Sequence, residues 1–330
     1  MVGCGARLHC DGITRNDDIS PATVIQAQWI KPKMENPMQQ SQFGILLALI
    51  GALILTPDSL LMRLSQMDGG AMLAWRATLA GMVFLFIGLN KRSRSTDTSK
   101  RIFSKSFVAL IICQIANTSF FAFAISLAPV AIVLVAVATV PIISVILSAL
   151  FLGERASLRS WGIILTVMLG IVISVYGDLR SDVAFNTQTV LGALLGLAVA
   201  FSLAINFIVV RQDRHVEFEL ALGIGALIAG LSAFALSSTA TNVTLESAFI
   251  ISLTGLIILP VSFVMLSRAS RYTTASNVSM LMLLETVLGP LWVWMFIDER
   301  PSHLTIAGGA IVIMAIFYFL FSERKNSEPV

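Results

Sequence analysis

Charge is what this chain has least of. Asp, Glu, Lys and Arg make up 12% of its 330 residues, about half the share of an ordinary soluble protein. That is too little polar surface to cover a soluble fold of this length. Cysteine is equally scarce: Cys4, Cys10 and Cys113 cannot frame a secreted disulfide scaffold. The three histidines, His9, His215 and His303, stand outside apolar stretches or at their edges, and no lysine lies within one. Intramembrane hydrolysis would want a HExxH pair or a Ser/Lys or Ser/His pair inside the spans, so enzyme chemistry is not expected. A GxxxxGKS or GxxxxGKT run is missing too, which excludes ATP as the energy source. A net charge of +3 is too small and too unevenly placed for nucleic-acid binding. No catalytic residue, metal or cofactor is expected.

What is abundant is apolar sequence, at 56%. A bilayer core of roughly 30 Å takes about 20 helical residues at 1.5 Å each. Ten stretches fit: Phe43–Met62, Ala71–Leu89, Phe107–Leu127, Val130–Phe151, Ser160–Tyr176, Val190–Val210, Glu219–Leu236, Phe249–Leu266, Asn277–Ile297 and Leu304–Phe321. None alternates with the period of a barrel strand. Numbering the sides by parity puts 18 of the 22 Lys and Arg on the side of the N-terminus; Arg63, Arg180 and Arg300 lie on the other, and Arg76 lies inside a span. Basic residues mark the cytoplasmic side. The expectation is a multi-pass protein of the cell membrane (plasma or inner), with both termini cytoplasmic.

Residues 1–42 read as a polar, disordered N-terminal tail without the apolar core of a signal peptide. Met34 and Met38 stand just before the first span, and translation is expected to start at Met34. Cys4 and Cys10 have no partner spacing that would make a metal or redox site.

The chain repeats itself. Phe151-Leu-Gly-Glu-Arg-Ala-Ser157 returns 145 residues later as Phe296-Ile-Asp-Glu-Arg-Pro-Ser302. Two units follow, at 43–177 and 188–322, with a short cytoplasmic tail at 323–330. Five spans per unit is an odd number, so the second unit enters from the opposite side. Inverted repeats of this kind serve alternating access.

Further motifs accompany the repeat. The first unit carries Ala128-Pro-Val, Pro141 and Leu152-Gly-Glu154; the second carries Ala275-Ser276, Leu284-Glu-Thr-Val287 and Asp298-Glu-Arg-Pro301; Trp75-Arg-Ala77 stands in the second span. In these features each unit resembles the EamA domain of the drug/metabolite transporter superfamily, over about Gln42 to Phe321. The resemblance implies an all-α membrane protein of ten helices, two inverted five-helix repeats around a central cavity. It also implies secondary transport, often export, of a small metabolite such as an amino acid. A departure is Thr286, where the family often has proline, so the ninth span is expected to be straighter than the fourth. A second is Asp298, opposite Gly153 of the first unit.

Charge inside the spans points to the site, because an ionisable group at the bilayer centre costs about 2.5–3.5 kcal/mol. Asp58 lies roughly 6 Å, and Arg76 roughly 7–8 Å, from the same outer face at 1.5 Å per residue. The two are expected to pair, as a lock between the first two spans or as substrate contacts. Glu285 lies roughly 12 Å into the ninth span by the same rise, with no Lys or Arg at its depth. Burial away from a cation favours the protonated form of a carboxyl, the chemistry a proton-coupled site uses. Gln114, Asn117 and Phe121 share one helix face, as do Ser202 and Asn206; Ser262 joins them as the mirror of Asn117. The candidates for substrate binding or coupling are therefore Asp58, Arg76, Gln114, Asn117, Asn206, Ser262 and Glu285, with Pro57, Pro141 and Pro260 as helix-kink residues. Pro57 frees the Leu53 carbonyl, which polar groups or water of the cavity are expected to satisfy. Trp292 and Trp294 read as interfacial belt residues, and Trp75 as a cover over the cavity mouth. The mirrors of Asp58, Arg76 and Glu285 are Leu203, Ala221 and Val140, so the scaffold is symmetric and its charges are not. Gly192 and Gly196 form a GxxxG pair that suits internal packing or a homodimer. The runner-up function is a nucleotide-sugar or lipid-linked carrier of the same fold. A phosphate would ask for several basic residues in the cavity, and only Arg76 is there.

Overall fold

The computed structural model describes residues 37–93, 104–153, 157–179, 187–213, 215–297 and 303–325. The expectations placed on Cys4, Cys10, Met34, Glu154, Asp298 and Glu299 lie outside them. Among the described residues the regular structure is helical throughout, with no strand. The elements are α1 (Pro37–Leu55), α2 (Asp58–Leu64), α3 (Gly69–Ser93), α4 (Lys105–Leu127), α5 (Val130–Val137), α6 (Val140–Leu152) and α7 (Leu158–Leu179). They continue as α8 (Thr187–Gln212), α9 (Phe218–Leu236), α10 (Leu245–Leu253), α11 (Leu259–Ala269), α12 (Ala275–Ile297) and α13 (His303–Lys325).

The apolar runs force this outcome. Lipid offers no partner to a backbone N–H or C=O, so a crossing segment must satisfy its own. Seven stretches are helical, long and apolar enough to cross a membrane, and α7, α12 and α13 contain shorter apolar runs. The exterior is apolar: Phe86 is 70% exposed and Phe249 74%. The polar residues Asp58, Arg76, Gln114 and Glu285 are buried. That inversion suits a lipid solvent.

Three of the apolar stretches are interrupted, and a proline stands at each interruption. Pro57 separates α1 from α2. Pro141 sits in the first turn of α6, after a break at Ala138–Thr139. Pro260 sits in the first turn of α11, after a π-helical turn at Thr254–Ile258. A helix start is where proline's missing N–H is least harmful. By contrast α12, with Thr286 opposite Pro141, is a single helix, in line with the expected difference between the fourth and ninth spans. Gly153 ends α6 with φ +67°, a left-handed cap that glycine adopts without a Cβ penalty. Ser104 caps α4 by accepting from the Phe107 N–H at 3.1 Å, and Thr244 caps α10 by accepting from the Ser247 N–H at 3.2 Å.

Helix pairing builds the bundle: α3 lies along α9, α7 along α13, α4 along α8, α1 along α11, and α12 against α1 and α6. The α3–α9 contact is backbone on backbone. A Cβ on Gly230 would stand 2.5 Å from the Thr78 nitrogen, and one on Gly223 would stand 2.7 Å from the Leu85 nitrogen. Small residues permit that approach. Gly192 and Gly196 of α8 press on Ala128 and on Ala136 of α5, so their small face is used for internal packing and not for a second copy.

Candidate functional site

The break at Pro57 starts the site. Proline cannot donate to the Leu53 carbonyl, and Thr56 takes its place through its N–H at 3.3 Å and its hydroxyl at 2.8 Å. The carbonyl is thus closed by its own chain, not by the cavity as expected. The Thr56 hydroxyl accepts in turn from Trp292 Nε1 at 3.0 Å. Trp292, expected as an interfacial belt residue, also ties α12 to the α1–α2 break. Trp75 donates to the Ala240 carbonyl at 2.9 Å and packs on Phe234. It fastens the segment after α9 and is not among the residues that line the cavity.

Because α1 stops at Leu55, Asp58 opens α2 pointing inward, 1% exposed. Arg76, about two turns into α3, is 4% exposed. Its Nη2 donates to Asp58 Oδ2, and its guanidinium lies over the Phe121 ring at 5.4 Å from the centroid. The pairing expected from matched depth is present. The second Asp58 oxygen, Oδ1, and Arg76 Nε are buried without a hydrogen-bond partner.

Around this pair lies a small cavity, mostly apolar with a few converging polar groups, the composition typical of small-molecule sites. Polar groups reach it from Asp58, Arg76, Gln114, Asn117, Thr118 and Glu285; the rest of the wall is apolar, with Phe84, Phe121, Phe263 and Met282 prominent. Five of the seven sequence candidates therefore meet in one cavity. Asn206 and Ser262 do not line it: both are buried, Asn206 in α8 and Ser262 in α11, where its carbonyl faces Gly51 of α1.

Glu285 needs a correction. The sequence placed it alone at its depth. In the fold it shares the cavity with both other charges, and the fields of Asp58 and Arg76 act on it. Depth along separate helices hides this, because the α1–α2 break and the packing of α12 on α2 decide which residues face one another. The carboxyl is 6% exposed and its Oε1 has no hydrogen-bond partner. It is not in a salt bridge among the described residues.

A second charged cluster escaped the sequence reading. Glu219, at the start of α9, is 1% exposed and accepts from Lys91 of α3 at 2.7 Å and from Arg268 of α11 at 3.2 Å. Glu217 faces Arg92 at 3.5 Å. Arg271 lies over Phe218 at 4.8 Å and donates to the Val216 carbonyl at 2.9 Å. The signal was available: Lys91, Arg92, Arg268 and Arg271 were counted for topology, and the two acids sharing their side were not.

A cavity with a few converging charges, inside a helical bundle with an apolar exterior, is the design of a membrane carrier. The family comparison agrees. Residues 42–176 and 190–321 each match the EamA-like transporter family, and the chain belongs to that family. It is a multi-pass membrane protein. Among named relatives, the pseudopaline exporter CntI of Pseudomonas aeruginosa is 30% identical over 179 residues, which span 53% of this chain and 60% of the exporter. The S-adenosylmethionine uptake transporter of Rickettsia bellii is 25% identical over 62% of this chain and 68% of its own length. A solved crystal structure superposes with a TM-score of 0.68 at 19% identity, covering 86% of this chain and 99% of that one, a likeness of fold.

Proposed function

We propose that this chain is a secondary transporter that moves a small, amino-acid-like metabolite across the cell membrane by alternating access, with export as its direction. The single observation that carries the proposal is the charged cavity buried where α2, α3 and α4 meet α8, α11 and α12. The scaffold we assign to it is ten spans in two inverted repeats, 43–177 and 188–322, with both termini cytoplasmic. In that scheme α1–α2, α5–α6 and α10–α11 with its π turn each form one broken span. The helix pairing favours it. A shift of 145 residues carries α4 onto α10–α11 and α1–α2 onto α8, which turns the α4–α8 contact into the α11–α1 contact; α3 with α9 and α7 with α13 simply exchange. Two near-equivalent packings of one motif are what alternating access uses. Gln114, Asn117, Asp58, Arg76 and Glu285 are the residues we assign to substrate, with Asn206 and Ser262 as supports between helices. A nucleotide-sugar carrier is disfavoured, because the one cation among the described residues that line the cavity is already paired with Asp58.

The experiment is flux in proteoliposomes loaded with an amino-acid mixture, with and without an imposed pH gradient. Saturable efflux that Arg76→Ala abolishes is the expected outcome. Efflux confined to nucleotide sugars, or absent for every class while the protein remains monodisperse, overturns the reading.

A further inference from the structure

The cavity holds more negative than positive charge. Asp58, Arg76 and Glu285 are the charged residues among those that line it. With all three ionised they sum to one negative charge. Arg76 is committed to Asp58 on one side and to the Phe121 face on another. Among the described residues no further cation reaches the wall: Arg63 of α2, which also packs on α12, is exposed and does not line the cavity. α1, α5 and α6, all packed near α12, contain no charged residue. α8 carries Arg211 in its last turn, and neither α7 nor α13 contributes a charged side chain to the wall. An unpaired carboxylate in a site of low dielectric is costly. Glu285 must hold either a proton or a cation.

Unmatched hydrogen-bonding atoms say which cation. Asp58 Oδ1 and Glu285 Oε1 are buried, unpartnered and able only to accept when ionised. Gln114 Oε1 is unpartnered as well, and its amide can rotate to donate or accept. Arg76 Nε is the unpartnered donor of the wall. A bare metal ion would want several oxygens at short range, and no group of three or more His, Cys, Asp or Glu among the described residues could hold one; beyond Asn117 and Thr118 the rest of this wall is phenyl rings, methionine and aliphatic groups. An ammonium group supplies the missing N–H donors, and Phe84 and Phe263 supply apolar wall for the rest of its body.

We propose that the ligand of this cavity is a singly positive organic amine, its ammonium on Glu285 and Asp58 Oδ1 and its apolar body against Phe84 and Phe263. This rests on the transporter reading and narrows its amino-acid-like substrate to a cationic amine instead of a zwitterion. Charge balance fixes the exchange. The protonated Glu285 carboxyl meets the incoming cation, releases its proton to water on the open side, and forms the carboxylate–ammonium pair; one proton leaves for each ligand bound. A zwitterion, whose net charge is zero, leaves the cavity negative and binds less well. The asymmetry of the repeat fits, since Val140 stands opposite Glu285 and offers no second ammonium site.

The test uses the purified full chain in nanodiscs and three probes of one skeleton: phenylalaninamide (singly positive), phenylalanine (zwitterionic) and N-acetylphenylalanine (negative). Titration calorimetry in two buffers of different ionisation enthalpy reads affinity and protons released. Phenylalaninamide is expected to bind on the order of tenfold tighter than the N-acetyl acid, with close to one proton released. Glu285→Gln should lose both the preference and the release, and Glu285→Asp, which keeps the carboxyl, should retain the release. Equal or tighter binding of the N-acetyl acid, no saturable binding of the amide, or an unaltered preference in Glu285→Gln overturns the assignment. Flux of radiolabelled phenylalaninamide in proteoliposomes separates the two ideas. Binding with proton release but without flux keeps the ligand class and sinks transport. Flux of the zwitterion or anion in preference to the amide keeps transport and sinks the ligand class.

Discussion

Two clusters of buried charge sit in this bundle, and they are finished differently. At the end where α3 stops and α9 begins, Glu219 is held by two cations from two different helices. Both cations keep a foot in solvent, Lys91 at 40% and Arg268 at 45% exposure. In the central cavity the three charges are all buried, one pair is made, and the third group has no partner. The end cluster joins α3, α9 and α11 and sets a cation against each of its acids, although Glu217 Oε2 and Arg271 Nε there also lack a hydrogen-bond partner. The cavity leaves atoms unmatched in a place where each costs free energy. A structure tolerates that cost where an outside partner completes the set.

Breaking the cavity pair should have the largest effect. Arg76→Ala strands the Asp58 carboxylate in the interior, at about 3–5 kcal/mol, read as a large drop in thermal unfolding temperature of the purified protein. Asp58→Asn combined with Arg76→Gln, which removes both charges, should recover part of that loss. Equal destabilisation by the single and double variants would mean that the pair is not coupled.

Next comes the backbone contact that carries the end cluster. Gly230→Val puts a branched side chain where even a Cβ would stand 2.5 Å from the Thr78 nitrogen. Overpacking of this kind costs about 1–3 kcal/mol, and proteolysis of the α3–α9 region should rise. Unchanged expression and protease resistance would show that the two helices separate more easily than their packing implies. Within the cluster itself, Glu219→Ala removes the shared acceptor, and about 1–3 kcal/mol is expected by the same unfolding measurement. Lys91→Ala or Arg268→Ala should each cost less than about 1 kcal/mol. Both cations can turn to water, and Glu219 keeps the other. A larger loss for Lys91→Ala than for Glu219→Ala would reverse the ranking.

How much of this was legible beforehand depends on whether a feature is local. Apolar runs, prolines and matched depths are local or nearly so. They gave the helices within a few residues, the three interruptions and the Asp58–Arg76 pair, whose helices are joined by a short link. Contacts across the repeat are not local. The Trp292–Thr56 hydrogen bond joins residues 236 apart and the Lys91–Glu219 bridge residues 128 apart. No periodicity in either helix announces them. The approach of Glu285 to the other two charges was hidden for the same reason. Its own helix is apolar around it except for Thr286, and only the docking of α12 against α1, α2 and α6 brings it to the cavity. Asn206 and Ser262 show the opposite case: both are buried outside the cavity lining, because a contact between two helices can hold a polar side chain as well as a cavity can.

The smallest effect on stability should come from the residue that separates the two clusters most sharply. Glu285→Gln keeps the shape and volume of the side chain and removes a carboxyl that no protein cation neutralises. Nothing in the fold is left unpaired by the change that was paired before it. Stability should shift by less than about 1 kcal/mol in either direction. Flux should fall on the order of tenfold or more, since an ionisable group kept within a span without a partner is retained for function. Glu219→Gln gives the matching control, with a measurable loss of stability and a flux defect no larger than that loss explains. If instead Glu285→Gln unfolds the protein while Glu219→Gln spares stability and stops transport, the roles of the two clusters are exchanged. The end cluster would then be the moving part and the cavity pair the lock.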